Sequence, residues 1–254
     1  MTTPSVDEET PLIQQHQYLQ LQSQMNRKDV YAKWSIIAGL ALFVSLVVSV
    51  LVRIPFNVFT FHPLFMTTFI VLVTEGISLL QPTATEIEKK QGLRHHAIIQ
   101  TTSYLSAISG FSFIFYNKVI SGKHHFESFH GKMGLFVFIY LFVQLIFGVS
   151  MALLPKQIFG SVDKAKSTWK YHRVFGYILL LLVWITAQLG VRADYMYNNL
   201  YSPHLVWLHW VSLVLVFDEW AFGVYQKFLQ DKSVESLLRL QRERVAVVAT
   251  MKLE

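Results

Sequence analysis

Apolar residues in this chain fall in long unbroken runs, not in the alternating or amphipathic stripes of a soluble domain. Crossing ~30 Å of hydrocarbon takes ~20 residues of helix, and six stretches qualify: 34–52, 62–80, 96–116, 130–154, 172–191 and 204–225. The first, WSIIAGLALFVSLVVSVLV, is the cleanest. Glu75 interrupts the second near one end, and Asp218 and Glu219 shorten the apolar part of the sixth. The pattern predicts an all-α protein of six transmembrane helices, a domain spanning 31–226. Polar tails at 1–30 and 227–254 flank it, the first of them expected to be disordered.

Composition agrees. The chain is 53% hydrophobic and 15% charged, where a soluble domain of this length carries about a quarter charged residues. Six spans put both termini on one side of the bilayer. Of the 22 lysines and arginines, only Arg53, Lys118, Lys123, Lys132 and Arg192 fall on the other side. Basic residues concentrate in cytoplasmic loops, so both termini are expected in the cytoplasm. The net charge of +6 follows from this asymmetry and needs no nucleic-acid partner; the lipid bilayer is the expected surrounding.

The N-terminal tail is glutamine-rich (IQQHQYLQLQSQ) and lacks a basic start before an apolar run, so it does not read as a cleavable signal peptide. Within it EETPLI resembles an acidic dileucine-type sorting signal, which points to an endomembrane: vacuolar, lysosomal or endoplasmic reticulum. The C-terminal tail holds SVESLLRLQRERVAVV, a candidate membrane-surface or solvated helix. No internal repeat stands out beyond the helical punctuation.

Cysteine is absent, which excludes disulfides, thiolate-bound haem, covalent haem attachment and cysteine-ligated iron–sulfur clusters. Any redox metal must be held by other side chains. Ten histidines are present, and four open successive apolar runs: His62 (FTFHPLF), His96 (RHHAIIQ), His130 (SFHGKMG) and His172 (KYHRVFGY). Neighbouring spans run antiparallel, so His62 and His130 fall near the non-cytoplasmic face and His96 and His172 near the cytoplasmic one. Each pair comes from helices that can face each other across a four-helix bundle, the geometry in which bundles hold cofactors. Two histidines from opposed helices fill both axial positions of a b-type haem, which favours electron transfer over small-ligand chemistry. Gly134 and Gly176 each lie four residues after a histidine, on its face of the helix, where a missing side chain leaves room for a flat ring. A metal transporter would instead place ligands near the midplane, where spans 2 to 5 carry apolar and aromatic residues with isolated Thr, Ser and Gln. The rival reading is a histidine-bearing transporter, or a structural membrane protein without haem.

The set FHPLFM, HHAIIQ, HGKMGL and YHRVFGY resembles the cytochrome b561 family, and within it looks closest to the branch called cytochrome b561 domain-containing protein 2. The resemblance implies a central four-helix bundle, spans 2–5, holding two b haems ligated by His62 with His130 and by His96 with His172. It also implies an ascorbate-dependent transmembrane oxidoreductase. Cytoplasmic ascorbate would reduce one haem, and the other would reduce monodehydroascorbate or ferric iron on the far side; a homodimer would be compatible. Lys90, Arg94 and Arg173, flanking His96 and His172, are the candidate contacts for an anionic donor. Two segments depart from the ascorbate-using members: the end of the second span reads ISLLQPTATEIEKK, without their basic-aromatic stretch, and His130 is followed by Gly131 and Lys132 where they carry serine and tryptophan. His95 reads as part of the cytoplasmic rim. His124 and His125, with Glu127, could collect ferric iron or be a solvated loop. His204 and His209 lie five apart, about 140° around a helix, and so share no ligand face. Tyr104, Phe111, Phe113 and Tyr140 are candidates to pack between or beside the haems.

Overall fold

The computed structural model describes residues 12–80, 86–200 and 202–218, and every regular element among them is helical. Helix α1 runs Leu12–Leu51, a single 3-10 turn covers Val58–Thr60, and α2 runs Phe61–Ser78. Then follow α3 (Glu86–Ile120), α4 (Phe129–Leu153), the short α5 (Pro155–Phe159), α6 (Val162–Val191) and α7 (Asp194–Tyr197). Five segments are long and apolar enough to cross a membrane: Lys33–Leu51, Val58–Ser78, Ile87–Ile120, Phe129–Leu153 and Val162–Val191. The protein is therefore a multi-pass membrane protein. The sixth expected span is represented by a shorter apolar helix, His204–Asp218, and its remainder lies outside the described residues, as do residues 1–11 and the C-terminal tail. Helix α1 opens at Leu12, so the glutamine-rich stretch is helical and continuous with the first span.

Two helices begin earlier than their apolar runs. Helix α3 starts at Glu86 and α6 at Val162, well before His96 and His172, so these two histidines sit inside helices and not at their openings. Hydropathy ends a run at the first cluster of charge, whereas helical hydrogen bonding continues through Lys89, Lys90 and Arg94. His62 and His130, by contrast, each follow the first residue of their helix.

Local signals explain the boundaries. Ser128 caps α4 by accepting from Gly131 N at 3.1 Å, and Ser161 caps α6 by accepting from Lys164 N at 3.1 Å, each satisfying an otherwise orphaned donor. Asn57 and Thr60 form a reciprocal capping box ahead of α2. Between α4 and α6 the chain turns through α5, entered at Pro155 and left through Gly160 in the left-handed region (φ 79°), the conformation glycine tolerates best.

Packing divides the bundle into two antiparallel hairpins. Helix α2 packs chiefly on α3, and α4 on α6. One face of α3 stitches α2 carbonyl by carbonyl. Gln100 Nε2 donates to Val73 O at 3.1 Å, Ser103 Oγ to Phe69 O at 3.2 Å and Ser106 Oγ to Phe65 O at 2.8 Å. Small and polar residues on this face let the backbones approach, the usual device where lipid is as apolar as leucine. In the second hairpin, Gln144 Nε2 donates to His172 O at 2.6 Å and Tyr140 Oη to Phe175 O at 3.2 Å. Helix α1 lays Ile36, Leu40, Phe43, Val47 and Val50, spaced at helical period, into the common core. There Trp184, fully buried, meets Phe43 edge-on at 5.2 Å and donates from Nε1 to Thr74 Oγ1 at 3.1 Å, joining α1, α2 and α6.

Candidate functional site

The two hairpins bring the four histidines to opposite ends of the bundle in pairs. In the first pair, His62 and His130 face each other across the hairpins with ring centroids 6.2 Å apart and planes at 73°. In the second, His96 on α3 and His172 on α6 lie toward the other end, seated at Gly76 and at Gly148.

Three of the four rings are held the same way. His62 Nδ1–H donates to Gly110 O at 2.9 Å, His96 Nδ1–H to Gly76 O at 2.7 Å and His130 Nδ1–H to Thr186 O at 3.0 Å. A carbonyl can only accept, so these bonds fix the proton on Nδ1 and leave Nε2 with its lone pair. Metal-ligating histidines are oriented in this manner, through the nitrogen that does not bind the metal. His172 differs: its Nδ1 is buried without a hydrogen-bond partner among the described residues, while its ring rests against α4.

Glycines make the close approach. A Cβ on Gly190 would lie 2.9 Å from His130 Cε1, and one on Gly148 2.9 Å from His172 Cε1. Gly110 and Gly76 supply the carbonyls for His62 and His96. Each histidine of a hairpin is thus seated on its partner helix at or near a glycine, and the partner helix returns the arrangement from its own end. Fourteen residues separate His62 from Gly76 and His96 from Gly110, and eighteen separate His130 from Gly148 and His172 from Gly190. The chain reads as having no internal repeat, yet this spacing is one, carried by single residues that hydropathy does not register.

Gly134, four residues after His130, faces open space: a Cβ there would meet nothing within 4 Å. Gly176 is closer packed, with Gln144 Nε2 at 3.1 Å from the same imagined atom. Imidazole–metal bonds run about 2 Å, and with about 1 Å from each nitrogen to its ring centre a metal between two rings needs centroids about 6 Å apart. The first pair meets that separation. Among the described residues no three histidine or carboxylate side chains gather into a metal cage. Two imidazoles would be enough to hold a haem, whose macrocycle brings its own ligands.

Between the pairs, aromatic side chains bridge the hairpins. Tyr104 stacks with Phe138 and with Phe142 at 6.4 Å each, and Phe111 with Phe138 at 4.6 Å. Of the expected aromatic residues, Tyr104 and Phe111 occupy this seam. Phe113 instead packs on Phe61 at 4.5 Å and on Phe65, and Tyr140 bonds across the second hairpin.

Lys90, Arg94 and Arg173 are all exposed, carried on the helices of the second pair, as is His95. His125 stacks on Phe115 at 4.3 Å and the carbonyl of His124 accepts from Lys118 Nζ at 2.7 Å, so the loop is tied to α3. His204 is exposed, whereas His209 is fully buried against Phe43, apart from both pairs.

Residues 61–198 match the family model of eukaryotic cytochrome b561, a stretch containing all four histidines and both hairpins. The chain belongs to the cytochrome b561 family. It is 29% identical over 171 residues to Transmembrane reductase CYB561D2 of Homo sapiens, covering 61% of this chain and 76% of that protein. Against the Bos taurus protein of the same name the identity is 28% over 158 residues, covering 59% and 68%. Against Probable transmembrane reductase CYB561D1 of Mus musculus it is 28% over 156 residues, covering 60% and 67%. These relatives put the chain in the CYB561D branch. Membership makes it an oxidoreductase of transmembrane electron transfer, in a family that binds b-type haem.

Proposed function

We propose that this protein carries single electrons through two b haems, from cytoplasmic ascorbate or a similar reductant to monodehydroascorbate or ferric iron on the other side. His62 and His130 would hold one haem, and His96 and His172 the other. The observation that carries this reading is the first pair: two Nδ1-anchored imidazoles with centroids 6.2 Å apart and open space beside Gly134. A haem held by His62 and His130 would supply one-electron redox chemistry.

The chain's own residues do the rest. Backbone carbonyls of Gly110, Gly76 and Thr186 hold three imidazoles in the tautomer that offers Nε2. Gly148 and Gly190 let rings lie against backbone. Tyr104, Phe111, Phe138 and Phe142 stack across the seam between the hairpins. The basic rim of α3 and α6, with Lys90, Arg94 and Arg173, attracts an anionic donor to the second pair, since a cluster of one sign raises the local concentration of its counter-ion. The basic excess around that rim also argues that both termini are cytoplasmic, and EETPLI argues for an endomembrane. A homodimer is compatible with the lipid-facing surface.

The test is a reduced-minus-oxidised spectrum of purified protein, followed by ascorbate reduction in membranes of known orientation and ferric chelate added on the far side. Two low-spin b-type haems per chain, reduced from the basic face and reoxidised from the other, are expected. Absence of a b-type signal would return the chain to the cofactor-free transporter reading.

A further inference from the structure

Tyr195 lies on α7, beyond the C-terminal end of α6 and at the same end of the bundle as His62 and His130. Its hydroxyl is buried and has no hydrogen-bond partner among the described residues. Its ring packs on Phe59 at 4.2 Å, and Phe59 packs on His62 at 6.1 Å, so one phenyl ring separates Tyr195 from the first pair. Leaving a buried donor unsatisfied is costly, and tyrosine hydroxyls usually find a partner when buried. None of the described residues supplies an acceptor for it, so one is expected from elsewhere.

Two other polar side chains at this end, Arg192 and Asn57, are engaged. The Arg192 guanidinium lies over the Trp210 ring at 5.4 Å. Asn57 accepts from Phe59 N and donates to Pro55 O. Tyr195 is left with a free donor beside the pair. A b haem is apolar over most of its surface and carries two carboxylates on one edge, which cannot rest in an apolar bundle without donors.

We propose that the Tyr195 hydroxyl donates a hydrogen bond to a carboxylate of the haem held by His62 and His130, and so raises that haem's potential. This rests on the two-haem reading above. A bare carboxylate near the iron favours the ferric state, because its negative charge offsets the extra positive charge. A donor drains part of that charge and, in a low-dielectric site, does so with little screening. Removing the donor therefore lowers the potential.

The experiment is a spectroelectrochemical titration of the purified holoprotein, comparing wild type with Tyr195→Phe and with Tyr197→Phe, a neighbour on the same short helix with an exposed side chain (42%). Tyr195→Phe is expected to keep full haem content and to lower one potential by up to about 59 mV, tenfold in the ferric-to-ferrous ratio. The haem affected should be the one that survives His96→Ala. Tyr197→Phe should match wild type. In wild-type protein, the carboxylate bending band of the resonance Raman spectrum should shift in D2O, a readout independent of how any variant folds. An unchanged potential in Tyr195→Phe, a shift in the other haem, or a band indifferent to D2O would each overturn the assignment while leaving the two-haem reading intact. Wild-type protein that binds no haem would remove both.

Discussion

His130 sits on Gly190 so closely that a single added methyl would come 2.9 Å from its Cε1. His172 sits on Gly148 with the same clearance. Neither ring can retreat freely, because His130 is tied to Thr186 O and His172 is wedged beside Phe147 at 6.0 Å. Gly190→Ala should therefore displace the His130 imidazole and lower haem content by about one equivalent, read by pyridine haemochrome assay. Gly148→Ala should do the same at the second pair. Gly134→Ala makes the sharper comparison: the polypeptide has room for it, with nothing within 4 Å. If that space belongs to a macrocycle, the variant fold remains intact while haem content falls. Unchanged haem content in Gly134→Ala would mean that the ring lies elsewhere.

His95 and His96 are adjacent and separate cleanly in the fold. His96 bonds to Gly76 O at 2.7 Å on the buried seam with α2, and His95 is exposed. Substituting His96 with alanine should remove about one haem equivalent; His95→Ala should remove none. Equal losses from both, or none from either, would refute the assignment of α3.

The pairing of the histidines was legible in the sequence, because two strong constraints acted on the same residues. Apolar runs set antiparallel helices, and antiparallel helices sort His62 and His130 to one end and His96 and His172 to the other. What hydropathy could not register is the surface each ring rests on. Gly76, Gly110, Gly148 and Gly190 contribute little to a hydropathy average and are common in membrane helices for packing alone; only their equal distances from the histidines mark them out. Gly134 and Gly176 lie on the histidine's own helix, one facing open space and the other packed on Gln144. Nor was the length of α3 and α6 legible, since charge ends an apolar run without ending a helix. Tyr195 escaped notice because nothing in its sequence neighbourhood, RADYMY, distinguishes a buried phenol from a surface one.

Stability should hinge on the bond between Trp184 and Thr74. The indole N–H donates to Thr74 Oγ1 at 3.1 Å, and that hydroxyl donates onward to Ile70 O at 2.7 Å; both residues are fully buried. Thr74→Val keeps the shape and strands the indole donor, a loss of about 1–3 kcal/mol. Thr74→Ser keeps the acceptor and should cost less. Thermal unfolding in detergent distinguishes them, and equal midpoints for the two variants would show that the indole finds another acceptor.

At the basic rim, the expected effects are on the donor and not on the haem. Lys90, Arg94 and Arg173 are exposed, while the rings of His96 and His172 rest at Gly76 and Gly148, so alanine at each should leave haem content and spectrum at wild type. On the proposed reading they gather an anionic reductant, and each substitution should raise KM for ascorbate roughly two- to fivefold with little change in kcat. The same electrostatic origin predicts that added salt weakens wild-type donor use, since exposed charges are screened beyond about 8 Å at physiological ionic strength. The salt dependence should flatten as the three charges are removed together. Were the rim basic only because it faces the cytoplasm, the triple variant would keep the wild-type KM and its salt slope, and the donor would have to enter elsewhere on that face.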